Sequence, residues 1–343
     1  MPNLAFPFAV PPVPGRPLDV APGILWLRLP LPFRLNHVNV YLLDGPDGWT
    51  IVDAGVDDAA TRLLWDEVFD TTLRGKPVKQ VLVTHYHPDH VGAAAMLCAR
   101  TGAPLLMGEI EYLTARVHLL AAPSDTRFER PFYRVHGLDA EQLAFMAERL
   151  VRYRHTVPAL PQSFVPLRTG AGLDIGGRRF GILSCAGHSP GQILLHADRD
   201  VLLAADHVLP QISPNVSVAE DRPDDDPLGL YLQSFPMIRR DISDDVLVLP
   251  GHRLPFRGLH ERTRALERHH AERCALILDA CTTQPPTAAD LVPILFPIEL
   301  DAHQFWFAFS ETLAHLNYLA CRGRLRRHRD GEVIRWSGQG EPG

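Results

Sequence analysis

Residues 81–90 read V-L-V-T-H-Y-H-P-D-H. Val81, Leu82 and Val83 form an apolar run, and after Thr84 the residues His85, Tyr86, His87, Pro88, Asp89 and His90 bring three imidazoles and a carboxylate together. An extended strand ending at Thr84 delivers His85 and His87 from alternate positions to one face, while Asp89 and His90 begin the next helix and turn back toward them. The chain has 17 histidines, so a lone H-x-H would mean little. Four borderline-to-hard ligands in one short loop are otherwise crowded charge with no packing benefit, and they imply a metal site.

Around this loop the pattern alternates between strand and helix, as in an α/β layer protein. Residues 38–43 and 49–53 predict a hairpin, 61–74 a helix, 78–84 the strand that feeds the loop, and 91–100 an alanine-rich helix. Between 109 and 155 two helical patterns, about 109–120 and 139–154, predict a helical insertion able to shape a substrate mouth. Strands follow at 179–184, 192–197 and 201–205. From about residue 259 the character changes to helices at 261–280, 288–296 and 303–321 and a basic hairpin at 325–336, a pattern that resembles a winged helix. The expected division is a catalytic domain over 1–257 and a small C-terminal domain over 258–343. The acidic run 220–227 reads as a solvated loop.

Three further donors stand where a buried strand ends. His188 lies in A-G-H-S-P-G after the strand 182–184, with Gly187 and Gly191 allowing the sharp turn. Asp206 follows V-L-L-A-A, and His252 follows V-L-V-L-P-G. Open sheets place their sites at such ends. With the loop these make seven donors, five histidines and two aspartates, enough for two divalent ions with a carboxylate between them and positions left for water.

The H-x-H-x-D-H loop at 85–90, the G-H at 187–188, the A-D at 205–206 and the P-G-H at 250–252 occur in an order that resembles the metallo-β-lactamase superfamily, of the hydroxyacylglutathione-hydrolase-like type. That resemblance implies a four-layer αβ/βα sandwich with the metals at one edge. It implies that His85, His87 and His188 hold the first ion, that Asp89, His90 and His252 hold the second, and that Asp206 bridges them. It also implies that Asp53, in I-V-D-A-G, braces the histidine loop from outside the ligand set. His207, beside the bridging position, reads as packing or outer support rather than a ligand. A dizinc β-lactamase would carry cysteine where Asp206 stands, so the aspartate favours the binuclear hydrolase branch. Zinc is the first expectation for both ions, with iron or manganese also compatible.

Such a pair lowers the pKa of a shared water toward neutrality. Asp89 is then the expected catalytic group, taking a proton from the attacking water and returning it to the leaving group. The expected substrate is a small acyl compound, a thioester, ester or lactone. One alternative is an endoribonuclease or phosphodiesterase of the same superfamily, for which Arg322, Arg324, Arg326, Arg327 and Arg329 would touch phosphates. Another is a metal-binding sensor without chemistry. His37, in H-V-N-V-Y, with Asn215 and Tyr231, are the candidate substrate contacts.

The bulk properties bound these readings. At 343 residues the chain exceeds a usual single core, and 46% hydrophobic residues supply the material to fill one large and one small domain. A formal net charge of -6 disfavours nucleic acid as a general partner. Five cysteines, odd in number and without C-x-x-C spacing, point to reduced thiols and a cytoplasmic setting. The apolar N-terminal stretch is broken by prolines and lacks a basic n-region, so neither a signal peptide nor a membrane span is expected. A homodimer through the C-terminal region is compatible with the pattern.

Overall fold

Two sheets carry the molecule's larger unit, and every candidate donor follows the end of one of their strands. The computed structural model describes residues 4–32, 34–120, 129–197 and 200–338. In chain order come β1 (Leu18–Ala21), β2 (Ile24–Pro30), β3 (His37–Gly45), β4 (Gly48–Val52), α1 (Ala59–Asp70) and β5 (Val78–Val83). Then follow α2 (Pro88–Val91), α3 (Ala94–Thr101), β6 (Leu105–Gly108), α4 (Glu109–Leu120), α5 (Glu129–Val135), α6 (Ala140–Thr156) and β7 (Val165–Leu167). Next are β8 (Gly172–Ile175), β9 (Arg178–Cys185), β10 (Gln192–Ala197), β11 (Val201–Ala205), α7 (Pro227–Asp241) and β12 (Leu247–Pro250). The chain ends with α8 (Leu259–Ala280), α9 (Ala288–Leu295), α10 (Ala302–Cys321), β13 (Leu325–Asp330) and β14 (Val333–Gly338).

Strands β1 to β7 form one sheet in sequence order, antiparallel as far as β4 and parallel from β4 to β7. The second sheet runs β12-β11-β10-β9-β8, with only the β11 and β12 pair parallel. Alternation along the strands gives each sheet two apolar faces. Trp26, Tyr41, Val52 and Leu82 of the first sheet share one core with Phe180, Ile182, Ile193, Leu203 and Leu249 of the second. Leu27, Val40, Ile51, Val81 and Val83 face the other way, into a core with Trp65 and Val68 of α1, Leu97 of α3 and Tyr112 of α4. In the second sheet Leu194, Leu202 and Val248 alternate with the shared-core residues and are also fully buried. Both outer faces are therefore covered, as a four-layer α/β sandwich requires.

Backbone contacts divide the chain into two compact units, and the cut differs from the expected one at 257. The first holds residues 1–121, 152–214 and 237–262, and the second holds 122–151, 215–236 and 263–343. Two segments from the middle of the sequence belong with the C-terminal region because they bond to it. Tyr133 packs on Phe309, and Asn317 donates to the carbonyls of Pro223 and Asp225, both at 2.9 Å. The acidic run is exposed over residues 221–225, as a solvated loop should be, and it is also tied to this unit: Glu220 accepts from Tyr133 Oη at 2.7 Å, Asp226 from Arg322 at 2.8 Å, and Asp224 from Arg327. Capping boxes start α9 (Thr287 with Asp290) and α10 (Asp301 with Gln304), and the β13–β14 hairpin closes this unit with Trp336 fully buried. Phe309, Leu313, Leu316 and Leu319 of α10 are buried, whereas Phe305 and Trp306 are only half-buried.

Several elements depart from the sequence reading. β1 and β2 arise where prolines dominate the local composition, and α5 forms where prolines and a glycine predict a break. The helix expected over 91–100 is two, because the Ala93 amide donates to the Gly55 carbonyl at 2.9 Å instead of continuing the ladder. Among the described residues no helix is long and apolar enough to cross a membrane.

Candidate metal centre

The site forms where the strands of the two sheets end. His85 follows β5, His188 follows β9, Asp206 follows β11, and His252 follows β12, while His87 caps the short α2 that carries Asp89 and His90. Three groups of donors lie within 4.8 Å of one another: His85, His87 and His188; His85, His90 and Asp206; and Asp89, His90 and His252. The structure thus brings all seven candidate donors into one cluster.

Hydrogen bonds outside the cluster fix which ring atoms face inward. Thr84 Oγ1 donates its proton to Asp53 Oδ2 at 2.9 Å, so it can only accept from His85 Nδ1 at 3.0 Å. His90 Nδ1 donates to Asp53 Oδ2, and His252 Nδ1 to the His37 carbonyl, each at 2.8 Å. The Nε2 lone pairs of His85, His90 and His252 are thereby turned inward. His90 Nε2 is buried with no hydrogen-bond partner among the described residues.

These inward atoms fit divalent ions. His85 Nε2 lies 3.1 Å from His87 Nδ1 and 3.3 Å from His188 Nε2. Nitrogens on one tetrahedral ion with bonds near 2.05 Å stand about 3.3 Å apart. A single ring proton can satisfy one such pair, whereas a cation satisfies all three. Asp206 Oδ2 sits 3.1 Å from His252 Nε2 and 3.5 Å from both His90 Nε2 and His188 Nε2, so one carboxylate oxygen touches both halves of the cluster. Asp89 Oδ2 lies 3.3 Å from His252 Nε2 and 3.6 Å from His90 Nε2.

The two halves differ electrostatically. Burial and the neighbouring imidazoles hold His85 and His87 well below the ordinary histidine range. Burial also opposes charge on His90 and His252, but Asp206 and Asp89 outweigh it, raising His90 well above its usual value and His252 to about 10. For Asp89 burial works against ionisation, yet His90 and His252 bring it down to about 2. Without an ion these raised rings stabilise the fold below the ordinary histidine pKa, and that contribution is lost as pH rises, through about 10 for His252. An ion must displace the same protons. At pH 7, uptake at the His90 and His252 half is expected to release up to two protons, and its affinity to rise about tenfold per pH unit for each. Uptake at the His85 and His87 half should draw none from those two rings. Calorimetry in buffers of different ionisation enthalpy separates the two events, and equal proton release for both ions would contradict this asymmetry.

Among the described residues three outside glycine adopt positive φ, and each adjoins the site: Asp53 at 66°, Ala205 at 42° and Arg253 at 71°. Strain of this kind, about 1–3 kcal/mol each, persists where surroundings over-determine it. Asp53 also accepts from the Thr84 amide at 2.8 Å, so one carboxylate ties β4 to the histidine loop. Asp53→Asn keeps a residue tolerant of this backbone but removes the charge. Metal affinity at the His90 half is expected to fall about 10–100-fold, read by competition with a chelating dye. Unchanged affinity would remove Asp53 from the support of His90.

His37 is a candidate substrate contact by sequence, and the structure gives it another task. Its Nδ1 is bonded to Asn36 at 2.9 Å, its Nε2 accepts from the Arg253 amide at 2.9 Å, and its carbonyl takes His252 Nδ1. Asn39 donates to the Pro250 and Arg253 carbonyls at 2.9 Å, and Tyr41 Oη to that of Pro250 at 2.8 Å. Alternate residues of H-V-N-V-Y therefore hold the P-G-H turn. Gly251 is needed there because a Cβ would collide with the Asp206 carboxylate and crowd the His90 ring. Tyr231 is fully buried against Phe235 and His270 in the second unit, a core position. Asn215, in the same unit, donates to Ser217 Oγ at 2.5 Å. His207 is fully buried, and burial followed by His188 lowers it to about 3.

A buried carboxylate of the site is also absent from the sequence reading. Glu111, in the first turn of α4, is fully buried. Its Oε2 accepts from the Tyr86 amide at 2.9 Å, and its Oε1 from Ser189 Oγ at 2.7 Å and the Gly191 amide at 2.5 Å. It joins the loop of His85 and His87 to the loop of His188. An acid in a first helical turn is commonplace, so no local signal marks it.

Known proteins share this arrangement of chain. The profile of the Metallo-beta-lactamase superfamily matches residues 34–264, and that of the Metallo-beta-lactamase-like, C-terminal domain matches 274–339. The Probable metallo-hydrolase YqjP of Bacillus subtilis (strain 168) is 25% identical over 324 residues, covering 91% of this chain and 96% of that protein. A crystal structure of a beta-lactamase domain protein from Burkholderia ambifaria is 41% identical with a TM-score of 0.89, covering 98% of each chain. A metallo-beta-lactamase family protein from Thermus thermophilus is 30% identical with a TM-score of 0.79, covering 94% of this chain and all of its own. With the first profile spanning well over half its length, the chain belongs to the metallo-beta-lactamase superfamily.

Proposed function

We propose that this chain is a metal-dependent hydrolase of small acyl substrates, a thioester, ester or lactone. The observation that carries the reading is the position of Asp206 Oδ2, within 3.5 Å of imidazoles from both halves of the cluster. His85, His87 and His188 would hold one divalent ion, Asp89, His90 and His252 the other, and Asp206 both. When bound, such a pair supplies a water acidified toward neutrality and an electrophile for a carbonyl oxygen. Zinc suits this donor set best, with iron or manganese as alternatives.

The protein's own groups do the rest. Asp53 and the His37 carbonyl keep the Nδ1 protons of His90 and His252 pointing away from the centre. Asp89 is the more open of the two clustered carboxylates, with 18% of its side chain exposed against 8% for Asp206. We assign to its free oxygen the proton of the attacking water and its return to the leaving group.

An acyl rather than a phosphodiester substrate is favoured by the basic hairpin region. Arg322 and Arg327 are paired with Asp226 and Asp224, which reduces the charge available to a phosphate backbone. We read the three C-terminal helices and hairpin as winged-helix-like, the hydrolase as hydroxyacylglutathione-hydrolase-like in its chemistry, and the free thiols as fitting the cytoplasm. The test is one panel of acyl thioesters, esters, lactones and a phosphodiester, with metal content measured on the same sample. Turnover of the acyl members is expected. Turnover of the phosphodiester alone would give the nuclease reading, and none at all with two ions bound would give the sensor.

A further inference from the structure

A second cluster of ligating side chains lies between α8 and α10 in the C-terminal unit. His269 and His270 are on α8, Glu311 and His315 on α10. His270 and His315 are fully buried and Glu311 nearly so, while His269 is half-buried. One nitrogen of His269, one of His270 and a carboxylate oxygen of Glu311 lie within 4.8 Å of one another.

Hydrogen bonds settle the tautomers of two rings. His315 Nδ1 lies 2.8 Å from the Glu311 carbonyl oxygen, which can only accept, so this nitrogen carries the proton. Its Nε2 is then a lone pair, and His270 Nδ1 donates to it at 3.1 Å. His270 Nε2 is left as a lone pair, buried and without a donor among the described residues. Such an acceptor costs folding free energy, and a cation removes that cost. Burial holds His270 at about 2 and His315 at about 3, so both rings are unprotonated at neutral pH. Burial lifts Glu311 to about 7, against the pull of Arg273, whose Nη1 lies 3.3 Å from Oε1. A cation would keep that carboxylate ionised.

We propose that His269, His270 and Glu311 bind a divalent transition-metal ion of the zinc class, with His315 orienting His270, and that this ion clips α8 to α10. Two imidazoles and a carboxylate are a donor set for such an ion, and small rotations of His269 and Glu311 bring the donors to the about 3.3 Å spacing of ligands on one centre. The chain from the Glu311 carbonyl through His315 to His270 is the outer support that metal-bound histidines require. Arg273 engages one oxygen of Glu311 and stacks on Phe296 at 4.1 Å, which holds the carboxylate in place.

The test uses the full chain and zinc or cobalt(II) as the probe. In a His85→Ala/Asp206→Ala background, in which each half of the first centre has lost a ligand, cobalt titration is expected to give a component of visible ligand-field absorption that Glu311→Gln and His269→Ala each remove, with one ion per chain fewer by elemental analysis. In the otherwise native chain the same two substitutions should also cost one ion. They should lower the melting temperature only when metal is present, and leave hydrolysis per chain unchanged. Should a substituted chain fail to fold, the native chain still decides: saturated with zinc it must hold three ions, the two of the proposed first centre and one more, and a content of no more than two overturns the proposal. Equal zinc content with and without Glu311→Gln in folded protein, or no cobalt binding in the background, overturns the proposal.

Discussion

Replacing Asp206 with alanine is expected to lower kcat/KM by at least about 10³-fold and to strip the chain of one ion or more. The size of the effect follows from the position of Oδ2, 3.1 Å from His252 Nε2 and 3.5 Å from His90 and His188 Nε2. Two divalent cations held by five neutral imidazoles and Asp89 alone would face one negative charge instead of two, in a buried site where repulsion is weakly screened. The same carboxylate sustains the raised pKa of His90 and His252 in the ion-free protein, so its loss should also let those rings shed their protons at lower pH. Asp206→Asn keeps the volume and removes the charge, separating electrostatics from packing; it should resemble alanine in ion content but not in melting temperature. Elemental analysis and steady-state rates on the same preparations check the prediction. Full turnover with two ions bound would refute the shared role of Asp206.

The donors that converge here carry local marks. His85 to His90 are adjacent in sequence, and His188, Asp206 and His252 each follow an apolar run that ends in a turn, so strand and ligand announce each other. What holds the donors carries no such mark. Asn39 and Tyr41 look like ordinary strand residues, yet they bond the Pro250 turn more than 200 positions later. β1 and β2 are masked by prolines around them, although Ile24, Trp26, Leu27 and Leu29 are buried on both faces of β2 once it pairs with β3. The division of the chain was also illegible, because residues 122–151 and 215–236 join the C-terminal unit through bonds such as Tyr133 to Glu220 and Asn317 to Pro223 that no periodicity predicts. Local pattern reads what a residue can do chemically; the register between distant segments decides which residues support it.

Glu111 is where that distinction has its largest testable consequence. Its carboxylate receives three donors, two of them backbone amides of ligand-bearing loops about 100 residues apart, and it is shielded from water. Glu111→Ala strands those donors, and with each buried unmade bond costing about 1–3 kcal/mol the fold is expected to lose at least about 3 kcal/mol. Glu111→Gln is the sharper probe. Its amide oxygen can still serve Ser189 and the Gly191 amide, but its NH2 then confronts the Tyr86 N–H, donor against donor. The loop carrying His85 and His87 should relax from the loop carrying His188 while each remains folded, so affinity at that three-imidazole half should fall about 10–100-fold. Affinity at the Asp89, His90 and His252 half should change much less, because Asp53 and the His37 carbonyl support it independently. A stepwise zinc titration of folded Glu111→Gln reads both halves in one experiment. Equal weakening of the two would mean a general loss of structure, and no weakening would mean the loops hold their register without the carboxylate.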